Sequence, residues 1–117
     1  MGGGVAFEWP RGCIYWHDRS VKSFIKRHDL TEIRFDGCMY GLTSRVPKTS
    51  GMPIRKPWTV ATTIKEMSLL GRKCDHKAGD HAPCAGADTK ATEGYTDELV
   101  IQLRAAVAEW CRAKGAR

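Results

Sequence analysis

Between Cys74 and Cys84 the chain places two thiols and two imidazoles in one run, Cys74-Asp75-His76-Lys77-Ala78-Gly79-Asp80-His81-Ala82-Pro83-Cys84, with no large apolar side chain among them. A segment this polar cannot order itself by burial, because fixing each backbone residue costs about 1–2 kcal/mol. Zinc favours tetrahedral sites built from cysteine sulfur and histidine nitrogen, and its binding supplies folding free energy that such a loop lacks. Gly79 and Pro83 provide turns that let the loop fold back, and His81-x-x-Cys84 has the tight spacing of a metal knuckle. The pattern predicts a structural zinc site with Cys74, His76, His81 and Cys84 as ligands, the two thiolates cancelling the charge of the ion. Cys74 and His76 are separated by a single residue, closer than usual, which makes Cys38 the alternative to His76 as fourth ligand. Asp75 and Asp80 are the carboxylates placed to orient the imidazoles. Four candidate ligands argue for a closed structural site, since a catalytic zinc keeps one position open.

The rest of the chain reads as alternating short strands and helices. Val5 to Trp9 is strand-like and ends at Pro10, which cannot donate to a ladder. Val21, Phe24, Ile25 and His28 fall on one helical stripe, with Asp18 or Ser20 as its cap. Thr31 to Asp36 alternates, Ile33 and Phe35 on one face and Glu32 and Arg34 on the other, and the strand is expected to run on through Gly37 towards Tyr40. Thr43 to Pro53 is a loop, Lys56 to Thr62 a strand, and Ile64 to Leu70 a short helix closed by Gly71. Residues 72–94 are read as the metal loop. The last element is a long helix that starts at Thr96, with Asp97 and Glu98 in its first turn and an apolar stripe of Leu99, Leu103, Val107, Trp110 and Cys111. Arg112, Lys114 and Arg117 lie at its C-terminal end, where positive charge is favoured.

This order predicts one small α/β domain over residues 1–117. It has a two-layer or three-layer build, about three strands, one βαβ crossover, a hairpin strand and the long C-terminal helix. The first strand offers an uncovered edge, so the chain is expected to be the C-terminal part of a larger protein or to pair with a partner or a second copy there.

Charge and composition narrow the partners. The net charge is +6, and ten Lys/Arg stand against five Asp/Glu through Thr63, but nine against eight from Ile64 onward. Arg45, Lys48, Arg55 and Lys56 crowd one segment without an acid, a field that attracts phosphate backbones. Trp58 beside them is the best aromatic candidate for stacking on bases. Trp9, Trp16 and Trp110 are weaker candidates, Trp110 being part of the helix stripe. No apolar run approaches the ~20 residues of a membrane-spanning helix, and Met1-Gly2-Gly3-Gly4 has neither the basic start nor the apolar stretch of a secretory signal. Gly2 invites acylation, but Val5 and Ala6 are not followed by the Ser or Thr that motif favours. Five cysteines without dense pairing suggest reduced thiols and an intracellular (cytoplasmic or nuclear) setting. Cys13, His17 and Asp18 lie close together, yet a Cys–His pair at a helix start is a weak nucleophile signal. Cys38 at a strand end is read as a small buried residue or a displayed thiol, and Cys111 as core.

Several segments in order carry a resemblance: Phe7-Glu8-Trp9-Pro10, Phe35-Asp36-Gly37-Cys38-Met39-Tyr40-Gly41-Leu42, Pro53-Ile54-Arg55-Lys56-Pro57-Trp58, Cys74 with His81-Ala82-Pro83-Cys84-Ala85-Gly86, and Tyr95-Thr96. The set resembles an uncharacterised region of mobile-element (retrotransposon-like) polyproteins. More distantly it is similar to the later part of DNA methyltransferase-like proteins. The second likeness implies half of a Rossmann-like sheet, with Glu8-Trp9-Pro10 as the strand-end loop facing a target base. It also implies a chain without activity on its own. The Gly-rich half that binds the methyl donor has no counterpart here, and Arg11 and Gly12 separate Pro10 from Cys13 where a Pro-Cys nucleophile belongs. The expectation is thus a zinc-stabilised binding domain of mobile-element origin that contacts nucleic acid. A catalytically incomplete half domain and a protein–protein interaction module are the alternatives.

Overall fold

The structure is a computed structural model that describes residues 3–77, 79–84, 87–92 and 94–115. Gly2 and Arg117, and Ala85-Gly86 of the quoted motif, lie outside the described residues. Strand β1 spans Ala6–Pro10, helix α1 Arg19–Arg27, strand β2 Thr31–Asp36, strand β3 Pro57–Thr62, helix α2 Ala87–Ala91 and helix α3 Asp97–Ala113. Single 3-10 turns occupy Ile14–His17, Gly37–Tyr40, Pro47–Thr49 and Lys65–Leu70.

The three strands form one antiparallel sheet in the order β1-β3-β2. Glu8 and Ile33 flank Val60, and Pro10 and Phe35 flank Trp58. β1 and β2 therefore run in the same direction and are joined through α1, but β3 inserts between them. The reason lies in the side chains. Trp58 to Thr62 carries no charge and is buried at every position, as a central strand must be, whereas β1 and β2 carry Glu8, Glu32 and Arg34. Because every neighbouring pair is antiparallel, the sheet is not the half of a parallel Rossmann sheet that the methyltransferase likeness implied. Glu8-Trp9-Pro10 is also no exposed loop: all three residues lie in β1 and pair with β3.

Alternation sorts side chains onto two faces. Ile33, Phe35, Trp58 and Val60 face the main core, with Met67, Leu70, Leu99 and Ala106. α3 closes this face as its stripe predicts, Leu99 buried and Leu103, Val107, Trp110 and Cys111 half-buried. Thr96 caps it, its hydroxyl accepting the Leu99 amide at 3.2 Å and donating to the Tyr40 carbonyl at 2.6 Å. On the opposite face Phe7 and Trp9 contact rings from the Ile14–His17 turn and α1, which makes the molecule three-layered. Asp18 caps α1 by accepting the amides of Ser20 and Val21. That capping is the role in which Asp18 is seen.

β2 does not continue through Gly37. The chain turns there into the Gly37–Tyr40 3-10 segment, closed by Gly41 at φ +78°. A Cβ on Gly37 would meet Leu42 Cδ2 at 2.8 Å and Trp58 Cζ3 at 3.3 Å, so the turn packs on the core only because that atom is absent. Tyr40, fully buried, then ties the turn to the Lys65–Leu70 segment through its hydroxyl, which donates to the Leu70 carbonyl at 2.8 Å. Among the described residues no helix is long and apolar enough to cross a membrane.

Candidate metal centre

The Gly37–Tyr40 turn presents Cys38 to the loop that follows the Lys65–Leu70 segment. Cys38, Cys74, His76 and His81 each offer one ligand atom, and these four atoms lie within 4.8 Å of one another. Cys74 Sγ stands 3.3 Å from His76 Nδ1 and 3.1 Å from His81 Nε2. The two imidazoles are nearly perpendicular, centroids 5.2 Å apart. A tetrahedron with Zn–S bonds of about 2.3 Å and Zn–N bonds of about 2.0 Å has edges of roughly 3.3–3.8 Å. The donors are thus gathered to within a few tenths of an ångström to about one ångström of that figure, and two sulfurs with two nitrogens are one of the donor sets found in structural metal sites.

Asp36 builds this arrangement. Its carboxylate is fully buried; Oδ2 accepts the Cys74 amide at 2.7 Å and Oδ1 faces the guanidinium groups of Arg11 at 3.3 Å and Arg55 at 3.5 Å. The Asp36 amide donates to the Arg72 carbonyl at 3.0 Å. The end of β2 therefore fixes the backbone on both sides of Lys73 and aims Cys74 at Cys38, two residues beyond Asp36. Burial pushes the Cys38 thiol up to about 12, with the hydrogen bond to Cys74 and the charges of Cys74 and Asp36 adding to the effect. A cation must displace such a proton, so metal binding releases protons and strengthens as pH rises.

Three of the four ligands expected from spacing converge: Cys74, His76 and His81. Cys84 does not join them. The Ala82 amide donates to the Pro53 carbonyl at 2.9 Å, Ala82 is buried, and the chain beyond it passes to α2. There Cys84 Sγ lies 3.3 Å from Thr92 Oγ1. Cys38 takes the fourth place, replacing Cys84 and not His76. Asp80 accepts the Lys77 amide at 3.2 Å and turns the loop; neither it nor Asp75 makes a hydrogen bond to an imidazole among the described residues.

The basic segment is divided. Arg45 and Lys48 are exposed, whereas Arg55 is paired with Asp36 while 56% exposed. Lys56 is half-buried, its ammonium donating to the Thr92 carbonyl and lying 5.5 Å from the Trp58 ring. Trp58 is 3% exposed and packs between Phe35 and Tyr95. Its indole is core and has no open face for a base, because its position on the central strand points inward. The loop is held on α2 by Asp88, which accepts the Arg45 amide at 2.8 Å and the Ser44 hydroxyl. These two donors hold the Asp88 carboxyl below its ordinary range, the Arg45 amide contributing most. A carboxyl with a depressed folded value adds stability above its unfolded pKa of about 4, and that stability is lost as pH falls through the folded value. Asp88→Asn is therefore expected to lower Tm by about 5 °C at pH 7. The difference from the parent protein narrows below pH ~4; a thermal melt series across pH checks it.

Neither Asp36, although it stands in the quoted segment from Phe35 to Leu42, nor Arg11 was expected at the site. The available signal was the acid two residues before a cysteine at a strand end. Comparison of the chain with family models, with curated proteins and with solved structures found no match.

Proposed function

We propose that this chain is a metal-stapled binding domain, in which Cys38, Cys74, His76 and His81 hold a structural zinc ion and the basic loop around Arg45 and Lys48 meets nucleic acid. The observation that carries the metal half is the convergence of four soft donors from two separate parts of the chain on one point. The ion would tie the polar loop after the Lys65–Leu70 segment to the end of β2, supplying through coordination the order that packing cannot. Metal analysis of the purified protein is the test, with about one zinc per chain expected for a single four-ligand site.

The nucleic-acid half rests on charge. Arg45 and Lys48 are exposed in a loop whose backbone is fixed by Asp88, and Arg55 lies at its far end. Reversing two phosphate-facing charges reduces the slope of log K against log salt by about 1.8 on duplex DNA. Arg45→Glu/Lys48→Glu is expected to show that reduction in anisotropy titrations, together with weaker binding. An unchanged slope would remove the loop from the reading and leave the metal site standing.

A further inference from the structure

On the face of the sheet opposite α3, rings form a continuous strip that neither the core nor the metal loop uses. Tyr15 abuts Trp9 at 5.3 Å, Trp9 abuts Phe7 at 5.2 Å, Phe7 faces Phe24 at 6.3 Å and Phe24 meets His28 at 4.6 Å. Trp16 braces the middle, stacked on Phe7 at 5.8 Å and anchored by its indole N–H to the Pro10 carbonyl at 2.9 Å. Phe7, Trp9 and Trp16 are half-buried, but Tyr15 at 56% and Phe24 at 38% stand in solvent.

α1 borders this strip. It buries none of its nine residues, and between Arg19 and Arg27 it carries Arg19, Lys22, Lys26 and Arg27 with no acid. None of the four makes an ion pair among the described residues. Arg19, Lys22 and Lys26 share one side at i, i+3 and i+7, and Arg27 adjoins Phe24. Lys26 and Arg27 in the last turn are favoured by the helix dipole, but Arg19 in the first turn is not, and like charges at i, i+3 and i, i+4 weaken a helix. A polyanion neutralises these cations.

We propose that this ring strip and the cationic side of α1 bind single-stranded nucleic acid, bases stacking on the exposed rings and phosphates meeting the cations. Stacking platforms flanked by positive charge are the general means of binding single strands, and they need ring faces that a duplex, with its bases already stacked, cannot use. A bilayer surface is disfavoured because Val21 and Ile25, the aliphatic residues of α1, are half-buried against the body. Phe24 is then the one large apolar side chain of the helix that stands in solvent, too little to lay into lipid. The site shares a partner class with the Arg45–Lys48 loop but none of its residues, and it stands without that loop.

The test uses the full chain in zinc-containing buffer, with a fluorescein-labelled oligothymidine of about 12 nucleotides and a duplex of equal length. The oligothymidine is expected to bind more tightly than the duplex and to quench tryptophan fluorescence. Tyr15→Ala is expected to weaken oligothymidine binding about tenfold with the salt slope unchanged. Lys22→Glu/Lys26→Glu should lower that slope by about 1.4. Both changes are on the surface; circular dichroism verifies the fold, and the charge reversal carries the test if the tyrosine variant misfolds. Wild-type affinity in both variants overturns the proposal, as does equal binding of duplex and single strand by Arg45→Glu/Lys48→Glu, in which the loop no longer contributes. Binding to phosphatidylserine vesicles without binding to oligothymidine overturns it in favour of a membrane surface. Loss of binding in Arg45→Glu/Lys48→Glu alone assigns the contact to the loop instead. Loss in the α1 variants alone sinks the loop reading and keeps this one.

Discussion

Cys74→Ser and Cys38→Ser each abolish stoichiometric zinc binding, while Cys84→Ser retains the ion. This is the sharpest expected result, because spacing in the sequence favours Cys84 and the folded chain favours Cys38. Cys74 stands within 3.3 Å of both imidazole donors, and Cys38 is brought to it by the turn after β2. Changing an outer partner of a zinc ligand typically costs 10–100-fold in affinity, about 1.4–2.7 kcal/mol; loss of a ligand itself exceeds that. The effect on stability follows by mass action. At free zinc about a thousandfold above Kd the folded state gains about 4 kcal/mol, a Tm rise of roughly 15 °C for a chain of this size. Chelator should reverse it in the parent protein and in Cys84→Ser, and do nothing in Cys38→Ser. Equal melting curves with zinc and with chelator would end the metal reading; a zinc-free Cys84→Ser protein beside a zinc-loaded Cys38→Ser protein would reassign the ligands.

Asp36→Ala is expected to cost about 3 kcal/mol, the low end of what removing one member of a buried ion pair costs. The low end applies because Arg11 is 25% exposed and Arg55 56% exposed, so solvent compensates part of their charge. The change also strips the Cys74 amide of its acceptor, and Arg11, whose Nε already has no partner, loses its counter-ion. Asp36→Asn keeps one oxygen and should cost less. Urea denaturation gives the stability change, and a competitive zinc titration gives the second consequence: weaker metal binding in Asp36→Ala although no ligand has been touched. A loss under about 0.5 kcal/mol, the size of an ordinary surface substitution, with unaltered zinc affinity would show that Asp36 does not organise the site.

These two results bear on different links of one chain of causes. Cys74, His76 and His81 are donors that several arrangements of the loop could bring together; the aspartate is what selects the one that meets Cys38. It does so by holding the backbone at Asp36 and Cys74, so that Cys38 and Cys74 meet on the same side of the turn.

The strands and the two longer helices were legible locally, whereas α2 lies in a stretch read as loop and Gly37–Tyr40 and Lys65–Leu70 are 3-10 segments. The period of Ile33 and Phe35 in β2, the stripe and Thr96 cap of α3, the Asp18 cap of α1 and the Trp, Thr and Val of β3 are properties of neighbouring residues, and each is realised. Cys74, His76 and His81 were legible for the same reason: ligands within eight residues of one another are close in any compact loop. What the sequence could not decide depended on partners distant along the chain. The order β1-β3-β2 follows from which strand can be buried on both faces. The fate of Trp58 follows from that order, since an aromatic residue beside Arg55 and Lys56 reads as a stacking candidate until its strand becomes the central one. The choice of Cys38 over Cys84 required the contact between the end of β2 and the Cys74 amide, thirty-eight residues apart, together with the Ala82–Pro53 hydrogen bond that carries Cys84 away. That a thiol and two imidazoles would gather in a loop too polar to fold alone was written in the residues; which second thiol joins them was settled by tertiary hydrogen bonds, because only they relate parts of the chain that spacing cannot.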